Sequence, residues 1–251
     1  MIIIKSPREI ELIRNSCRIV VDTFHHIEKL INPGIETREI DSEVEKFIRS
    51  HGAKPAFKGY RGFPASACVS VDDEVVHGIP NKRKLKRGQI VSVDIGVEFQ
   101  SYFGDGAKTF IVGNIPENTK KLLRVTKESL YKGIDAARVG NRLSDISNTI
   151  QTYVERAGFS VVRDLVGHGV GRKLHEDPQI PNYGPPHKGP RLKPGMVLAI
   201  EPMVNMGNYG VFFDDNDKWT VRTIDGLPSA HFEHTVAITD DGADILTDGL
   251  L

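Results

Sequence analysis

Apolar residues recur at helical spacing in four segments of this chain. Ile10, Ile13 and Cys17 lie three or four residues apart, which predicts an amphipathic helix over about residues 7–30. The sequence Ser6-Pro7-Arg8-Glu9 supplies a capping serine, a proline for the first turn and a glutamate three residues after the serine. Similar patterns predict helices over about residues 37–50, 117–137 and 143–157.

Alternation of apolar and polar residues predicts strands between these helices. Ile90–Asp94 indicates a strand that ends at Asp94, and residues 97–112 indicate its hairpin continuation. No stretch approaches the roughly eighteen apolar residues that a membrane span requires. The apolar run after Met1 is too short for a signal peptide. We therefore expect a cytoplasmic protein.

The two halves of the chain resemble one another. Gly34, Ile40 and Gly52 recur as Gly140, Ile146 and Gly158 at an offset of 106, and residues 85–94 match residues 192–201 at an offset of 107. Chance similarity is the alternative. It is opposed by the matching carboxylates Asp94 and Glu201, because a charge that ends a buried strand is usually paired or metal-bound. We expect one domain, residues 1–251, with pseudo-repeats over about 7–113 and 114–245.

Composition removes several classes of function. The 33 Lys and Arg residues balance 33 Asp and Glu residues, so no general affinity for nucleic acids or anionic membranes is indicated. The two cysteines, Cys17 and Cys68, form neither a disulfide framework nor a thiolate zinc motif, which fits a reducing compartment. Motifs of the HExxH, GxGxxG, GxxxxGK[ST] and GxSxG types do not occur.

Several acidic residues and histidines stand in unusual local sequences. Asp105 lies between two glycines and could approach Asp94 across an antiparallel hairpin; a simple Gly-Asp-Gly turn is the alternative. His168 is surrounded by three glycines, which favours a ligand in a tight turn over a core histidine. Glu201 directly precedes a proline. Glu233 begins a segment in which apolar and polar residues alternate, and the simplest interpretation of Glu233 alone is a solvent-facing side chain. Together, two Asp, two Glu and one His suit two divalent ions of the manganese, iron or cobalt kind, with zinc also open.

Six segments resemble, in order, the motif set of the methionine aminopeptidases of the short bacterial type. They are Val76-His77-Gly78-Ile79-Pro80, Ser92-Val93-Asp94, Gly104-Asp105-Gly106-Ala107-Lys108, Gly167-His168-Gly169-Val170-Gly171, Ile200-Glu201-Pro202-Met203 and Phe232-Glu233-His234-Thr235. The resemblance implies the α+β pita-bread fold, with two pseudo-symmetric halves, a central curved antiparallel sheet and outer helices. It also implies removal of the initiator methionine from nascent proteins by two-metal hydrolysis of the first peptide bond.

The resemblance assigns roles residue by residue. Asp94 would hold one metal ion, His168 and Glu201 the other, and Asp105 and Glu233 would bridge them. The ions could be cobalt, manganese, iron, zinc or nickel. His77 would contact the scissile amide nitrogen, His175 would stabilise the oxyanion, and Glu201 would also shuttle a proton.

A methionine pocket is implied in the same way. Its lining by position is Tyr60, Phe63, Cys68 and Trp219. Two residues depart from the family pattern, because Phe57 replaces a smaller residue and Leu174 replaces an aromatic one. Gly106-Ala107 also replaces the usual hydroxyl-bearing pair. We expect altered pocket shape with unchanged metal chemistry.

Rival functions and partners follow from the same resemblance. The nearest rival is another pita-bread metallopeptidase, an X-Pro aminopeptidase or dipeptidase; a non-catalytic binding protein on this scaffold is opposed by the intact ligand set. The expected partners are nascent polypeptides that begin with methionine, and the chain is expected to act as a monomer. The basic loop of Lys82, Arg83, Lys84, Lys86 and Arg87 is interpreted either as a solvated turn or as a transient contact with the ribosome.

Overall fold

The computed structural model describes residues 1–251. Its helices are α1 (Pro7–Glu28), α2 (Thr37–Ser50), α3 (Glu117–Ala136) and α4 (Leu143–Arg156), with a single 3-10 turn at Tyr60–Gly62. The predicted cap of α1 is present: the Ser6 hydroxyl accepts from the Glu9 N–H at 3.3 Å, and the Glu9 carboxylate accepts from the Ser6 N–H at 3.0 Å. No helix combines the length and apolar character needed to cross a membrane.

Fifteen strands complete the fold. They are β1 (Lys54–Pro55), β2 (Cys68–Val71), β3 (Glu74–Val76), β4 (Gln89–Phe99), β5 (Tyr102–Val112), β6 (Ser160–Val161), β7 (Val166–Gly169), β8 (Glu176–Pro181), β9 (Val197–Ile200), β10 (Met203–Asn205), β11 (Val211–Phe213), β12 (Val221–Thr223), β13 (Ser229–His231), β14 (His234–Thr239) and β15 (Gly242–Ile245). Every pairing between them is antiparallel. With the four helices, this confirms the predicted α+β class.

Each half of the chain packs a pair of helices on its own sheet. Helices α1 and α2 share one apolar core with β2, β4 and β5 of the sheet β1-β4-β2 with β5. Helices α3 and α4 share another with strands of the sheets β15-β14-β9-β7-β8 and β13-β10-β6. The halves therefore present their sheets to one another and their helices outward.

Hydrogen bonds join β5 of the first half to the β13–β14 segment of the second. The Glu233 N–H donates to the Ala107 carbonyl oxygen at 3.0 Å. The Thr109 hydroxyl accepts from the His231 N–H at 2.9 Å and donates to the His231 carbonyl oxygen at 2.8 Å. These contacts hold the acidic segments of the two halves side by side.

One boundary predicted from the sequence is wrong. Asp94 does not end its strand, because β4 continues through Ile95 and Val97 to Phe99. Gly96 interrupts the β-branched pattern and makes the strand look shorter than it is. A side chain on Gly96 would collide with the ring of Phe57, since an added Cβ would lie 2.5 Å from it.

Candidate active site

A cavity of about 150 Å³ opens between the two halves. It contains every site residue expected from the sequence, together with Phe57, Arg61 and Leu174. The lining residues are Phe57, Tyr60, Arg61, Phe63, Cys68, His77, Asp94, Asp105, His168, Leu174, His175, Glu201, Trp219 and Glu233.

The hairpin β4–β5 brings Asp94 and Asp105 together. Asp94 lies opposite Ala107 and Asp105 lies opposite Gly96, so the aspartates are diagonal neighbours on one face. The alternative of a Gly-Asp-Gly turn is wrong, because Asp105 sits inside β5 and the chain reverses at Gln100 and Ser101 instead. Asp105 is 3% exposed.

The glycines beside His168 allow two neighbouring backbone segments to approach it. A Cβ on Gly167 would lie 2.4 Å from the Ala199 carbonyl oxygen, and one on Gly169 would lie 2.2 Å from the Asp177 carbonyl oxygen. The Nδ1 of His168 is 2.9 Å from the Gly169 carbonyl oxygen, which can only accept. Nδ1 therefore carries the proton, and the lone pair of Nε2 faces the carboxylates.

The other two carboxylates come from the second half. Glu201 follows the last residue of β9, as predicted, and its Oε1 lies 3.5 Å from the His168 Nε2. Glu233 occupies the gap between β13 and β14 and is 2% exposed, so a solvent-facing position is wrong. The His168 Nε2 also lies 3.7 Å from the Asp105 Oδ2.

Four carboxyl groups in one buried cluster disfavour their own ionisation. Burial, opposed by His231 and reinforced by Glu201, raises the pKa of Asp94 to about 7. Burial also raises the pKa of Glu201 to about 7. Burial and neighbouring carboxylates raise the pKa of both Asp105 and Glu233 well above the ordinary range. Such an arrangement is unfavourable unless protons or cations neutralise it.

The donor set fits divalent ions. Ligand atoms of Asp105, His168 and Glu233 lie within 4.8 Å of one another, and so do those of Glu201, His231 and Glu233. Asp94 Oδ1 and Glu233 Oε1 are buried without a hydrogen-bond partner. Bound cations would explain buried carboxylate oxygens that have no hydrogen-bond partner. A set of ligands that is rich in oxygen and contains one imidazole suits several divalent metals.

His77 and His175 lie on the wall beside this cluster. The His175 Nδ1 is 3.0 Å from the Tyr60 hydroxyl, and the two rings stack with centroids 5.1 Å apart. Desolvation and the adjacent His168 lower the pKa of His175. Burial lowers the pKa of His77 to about 4. Both imidazoles are therefore neutral at pH 7, and each can donate one N–H.

The apolar part of the cavity is a small cluster separate from the main cores. Its five buried members are Phe57, Phe63, Ala65, Cys68 and Leu174, and Tyr60 and Trp219 are among the residues packed against them. The edge of one ring of the Phe63–Trp219 pair meets the other ring at a centroid distance of 5.2 Å. Phe57 and Leu174, the two departures from the family pattern, both belong to this cluster and both line the cavity. The cavity therefore has an aromatic ring at residue 57 and an aliphatic side chain at residue 174.

Sequence reasoning missed two residues of this region. Arg61 lines the cavity, and no feature of its local sequence predicts this. His231 lies with its Nε2 3.5 Å from the Glu201 Oε2. A signal for His231 was available in the sequence, because it stands two residues before Glu233, the spacing of neighbouring side chains on one face of an extended segment.

Comparison with known proteins gives one consistent result. The family described as "Metallopeptidase family M24" matches residues 11–240. "Methionine aminopeptidase 1" of Bacillus subtilis (strain 168) is 61% identical over 248 residues, which cover 98% of this chain and 99% of that relative.

Solved structures agree with these relatives. A methionine aminopeptidase from Thermotoga maritima aligns with a TM-score of 0.96 at 50% identity, covering 98% of this chain and 99% of that chain. A prolidase from Pyrococcus furiosus aligns with a TM-score of 0.81 at 27% identity, covering 98% of this chain and 65% of the prolidase. The pita-bread fold predicted from the motifs is confirmed, and the lower identity to the prolidase disfavours the X-Pro alternative.

Proposed function

The chain belongs to metallopeptidase family M24 and, within it, to the methionine aminopeptidases, and we propose that two divalent ions in the described cavity serve its hydrolysis of the first peptide bond. The substrates are polypeptides that begin with methionine. The observation that carries the two-ion proposal is the meeting of four carboxylates and one imidazole at the base of a pocket with apolar walls.

Five residues are proposed as ligands. Asp94 would hold one ion, His168 and Glu201 the other, and Asp105 and Glu233 would bridge the two. The deep burial of Asp105 and Glu233 between the halves supports a shared position for them. When bound, the ions supply an activated water molecule at neutral pH and polarisation of the scissile carbonyl group.

The histidines are proposed to act on the substrate. Because the Tyr60 hydroxyl can donate to Nδ1 of His175, the proton of this imidazole would reside on Nε2 and be available to the developing oxyanion. His77 would contact the scissile amide nitrogen. Glu201, whose side chain is 13% exposed, would carry the proton from the attacking water to the leaving amine.

The pocket is proposed to bind the methionine side chain. Tyr60, Phe63, Cys68 and Trp219 offer aromatic edges and a thiol to an unbranched thioether. Sulfur contacts with aromatic rings contribute about 0.3–1.5 kcal/mol each. Phe57 and Leu174 would set the depth of the pocket, since both are buried in the same cluster.

The cell compartment and partners belong to the same proposal. We place the activity in the cytoplasm, where polypeptides that still begin with methionine are made, and the two unpaired cysteines suit a reducing compartment. The chain would act as a monomer, because both halves of the cavity come from one chain. Arg83 of the basic loop is already paired with Glu74 at 3.0 Å, which favours a solvated turn over a ribosome contact.

Peptide cleavage tests the proposed activity. Purified protein supplied in turn with cobalt, manganese and iron should release methionine from Met-Ala-Ser and leave Ala-Pro-Ala intact. The isosteric variant Asp105→Asn is the control, since it removes one proposed bridging charge at nearly unchanged volume. Preference for the proline peptide would overturn the substrate assignment.

A further inference from the structure

We propose that His231 is a positioning residue that holds the second carboxylate oxygen of Glu201 and so orients this ligand toward its metal ion. The proposal rests on the two-ion function given above. His231 belongs neither to the five proposed ligands nor to the histidines proposed to contact the substrate.

The surroundings of His231 require a partner for it. The residue is 1% exposed, and neither ring nitrogen has a hydrogen-bond partner among the protein atoms. Buried polar groups are rarely left in this condition. Its backbone N–H and carbonyl oxygen are both hydrogen-bonded to the Thr109 hydroxyl, which fixes the position of its Cα at the contact between the halves.

Glu201 is the partner that the geometry offers. Its Oε1 faces His168, and its Oε2 faces the His231 Nε2, each at 3.5 Å. The His168 Nε2 carries a lone pair, because Nδ1 of that ring donates to the Gly169 carbonyl oxygen. When Glu201 is ionised, its Oε1 and this nitrogen can therefore share a cation but cannot hydrogen-bond to each other. The His231 Nε2–H can donate to Oε2 after an approach of a few tenths of an ångström.

A hydrogen bond on the second oxygen would fix the rotation of the carboxylate. Ligating carboxylates are commonly held in this way, and losing the outer partner typically weakens metal binding or activity about 10–100-fold. The alternative is that His231 is itself a ligand. Replacement by glutamine separates the two roles. The amide N–H of glutamine reaches about as far as the Nε2–H of histidine, so it can replace a hydrogen-bond donor. The amide is a weak metal ligand, so it cannot replace a ligating imidazole.

Titration calorimetry with Mn²⁺ separates these roles. We expect His231→Leu to lower the affinity of one ion about 10–100-fold and His231→Gln to stay within about threefold of the wild type. Ile150→Ala, on the buried face of α4, serves as a control that lowers stability without lowering affinity. Wild-type affinity in His231→Leu, or a loss in His231→Gln equal to that in His231→Leu, would overturn the proposal.

A measurement on the wild-type protein covers the case in which His231→Leu does not fold. Nitrogen-15 NMR of the histidine side chains, recorded with Zn²⁺ bound, should show His231 protonated at Nε2, with the His231→Gln spectrum providing the assignment. A metal-shifted, unprotonated Nε2 would contradict the proposal. Failure of the wild-type chain to bind any divalent ion would instead overturn the two-ion function, and this proposal with it.

Discussion

Thr235 hydrogen-bonds both backbone groups of Asp105. Its hydroxyl donates to the Asp105 carbonyl oxygen at 2.8 Å and accepts from the Asp105 N–H at 3.2 Å. One side chain on β14 therefore links the two halves at the position of a proposed bridging ligand. The placement of Asp105 depends on this contact as well as on the β4–β5 hairpin.

Thr235→Val should destabilise the protein. The change keeps the shape of the side chain but leaves a buried N–H and a carbonyl oxygen without their partner, which costs about 1–3 kcal/mol. Urea unfolding of the chelated protein measures this loss. Thr239→Val on the same strand is the matched control, because its hydroxyl bonds only to Gly242 in the partly exposed β14–β15 turn. Equal losses of unfolding free energy in the two variants would show that the contact with Asp105 stabilises the protein no more than the partly exposed hydrogen bond of Thr239 does.

His175→Ala should retain the fold and the bound metal but lose most turnover. Removing one fixed donor to a developing oxyanion costs about 2.7–4 kcal/mol of barrier, or roughly 100- to 1,000-fold in kcat. Steady-state kinetics on Met-Ala-Ser, with metal analysis of the same preparation, measures both quantities. A parallel loss of metal would identify His175 as a ligand instead.

Tyr60→Phe should have a smaller effect in the same direction. The variant keeps the stacked ring but removes the hydroxyl that lies 3.0 Å from the His175 Nδ1. Loss of one such hydrogen bond costs about 0.5–1.5 kcal/mol, which corresponds to roughly 2- to 10-fold in kcat. If the hydroxyl does not orient His175, kcat will be unchanged.

Metal binding should release protons near neutral pH. The pKa of Asp94 and that of Glu201 are raised to about 7, so at pH 6 both groups are largely protonated, whereas a cation binds their ionised forms. Metal affinity should therefore rise as the pH increases from about 6 to 8. Calorimetry in buffers of different ionisation enthalpy counts the released protons, and a pH-independent affinity would contradict this prediction.

Lys5→Met should be strongly destabilising. The Lys5 Nζ lies 2.7 Å from the Glu176 Oε2, and the two side chains are 3% and 4% exposed. Removing one member of such a buried pair costs about 3–5 kcal/mol, because the remaining charge is uncompensated. The loss should appear in urea unfolding, and also in turnover because Glu176 adjoins His175.

Two further variants separate burial from charge in that pair. Arg14→Met breaks a pair with Asp244 whose side chains are 21% and 42% exposed, and it should cost at most about 1 kcal/mol. The double variant Lys5→Met/Glu176→Leu should recover part of the stability, because no buried charge is left alone. If Lys5→Met lowers the free energy of unfolding no more than Arg14→Met does, burial does not determine how much the ion pair contributes to stability.

Local signals in the sequence explain what could be predicted. The capping box at Ser6 and Glu9 fixes the start of α1, and the glycines beside His168 indicate a close backbone approach that the structure contains. The internal repeat predicts that Asp94 and Glu201 approach a common centre, and both line the cavity. These features depend on neighbouring residues or on motifs that repeat along the chain.

Tertiary packing explains what could not be predicted. The burial of Glu233 depends on β5, more than a hundred residues earlier, so its local sequence resembles that of a solvent-facing strand. His77 adopts a left-handed backbone conformation with φ of 58°. The surrounding structure imposes this conformation, and no neighbouring residue in the sequence predicts it. The environment of His231 likewise arises only when Thr109 on β5 and Glu201, directly after β9, approach it.

Crystals grown with cobalt and measured on both sides of its absorption edge test the central claim most directly. The two-ion account predicts two anomalous peaks about 3.5–4 Å apart, enclosed by the five proposed ligands. Those ligands are Asp94, Asp105, His168, Glu201 and Glu233. Absence of any peak among them in crystals of an active preparation would contradict the account.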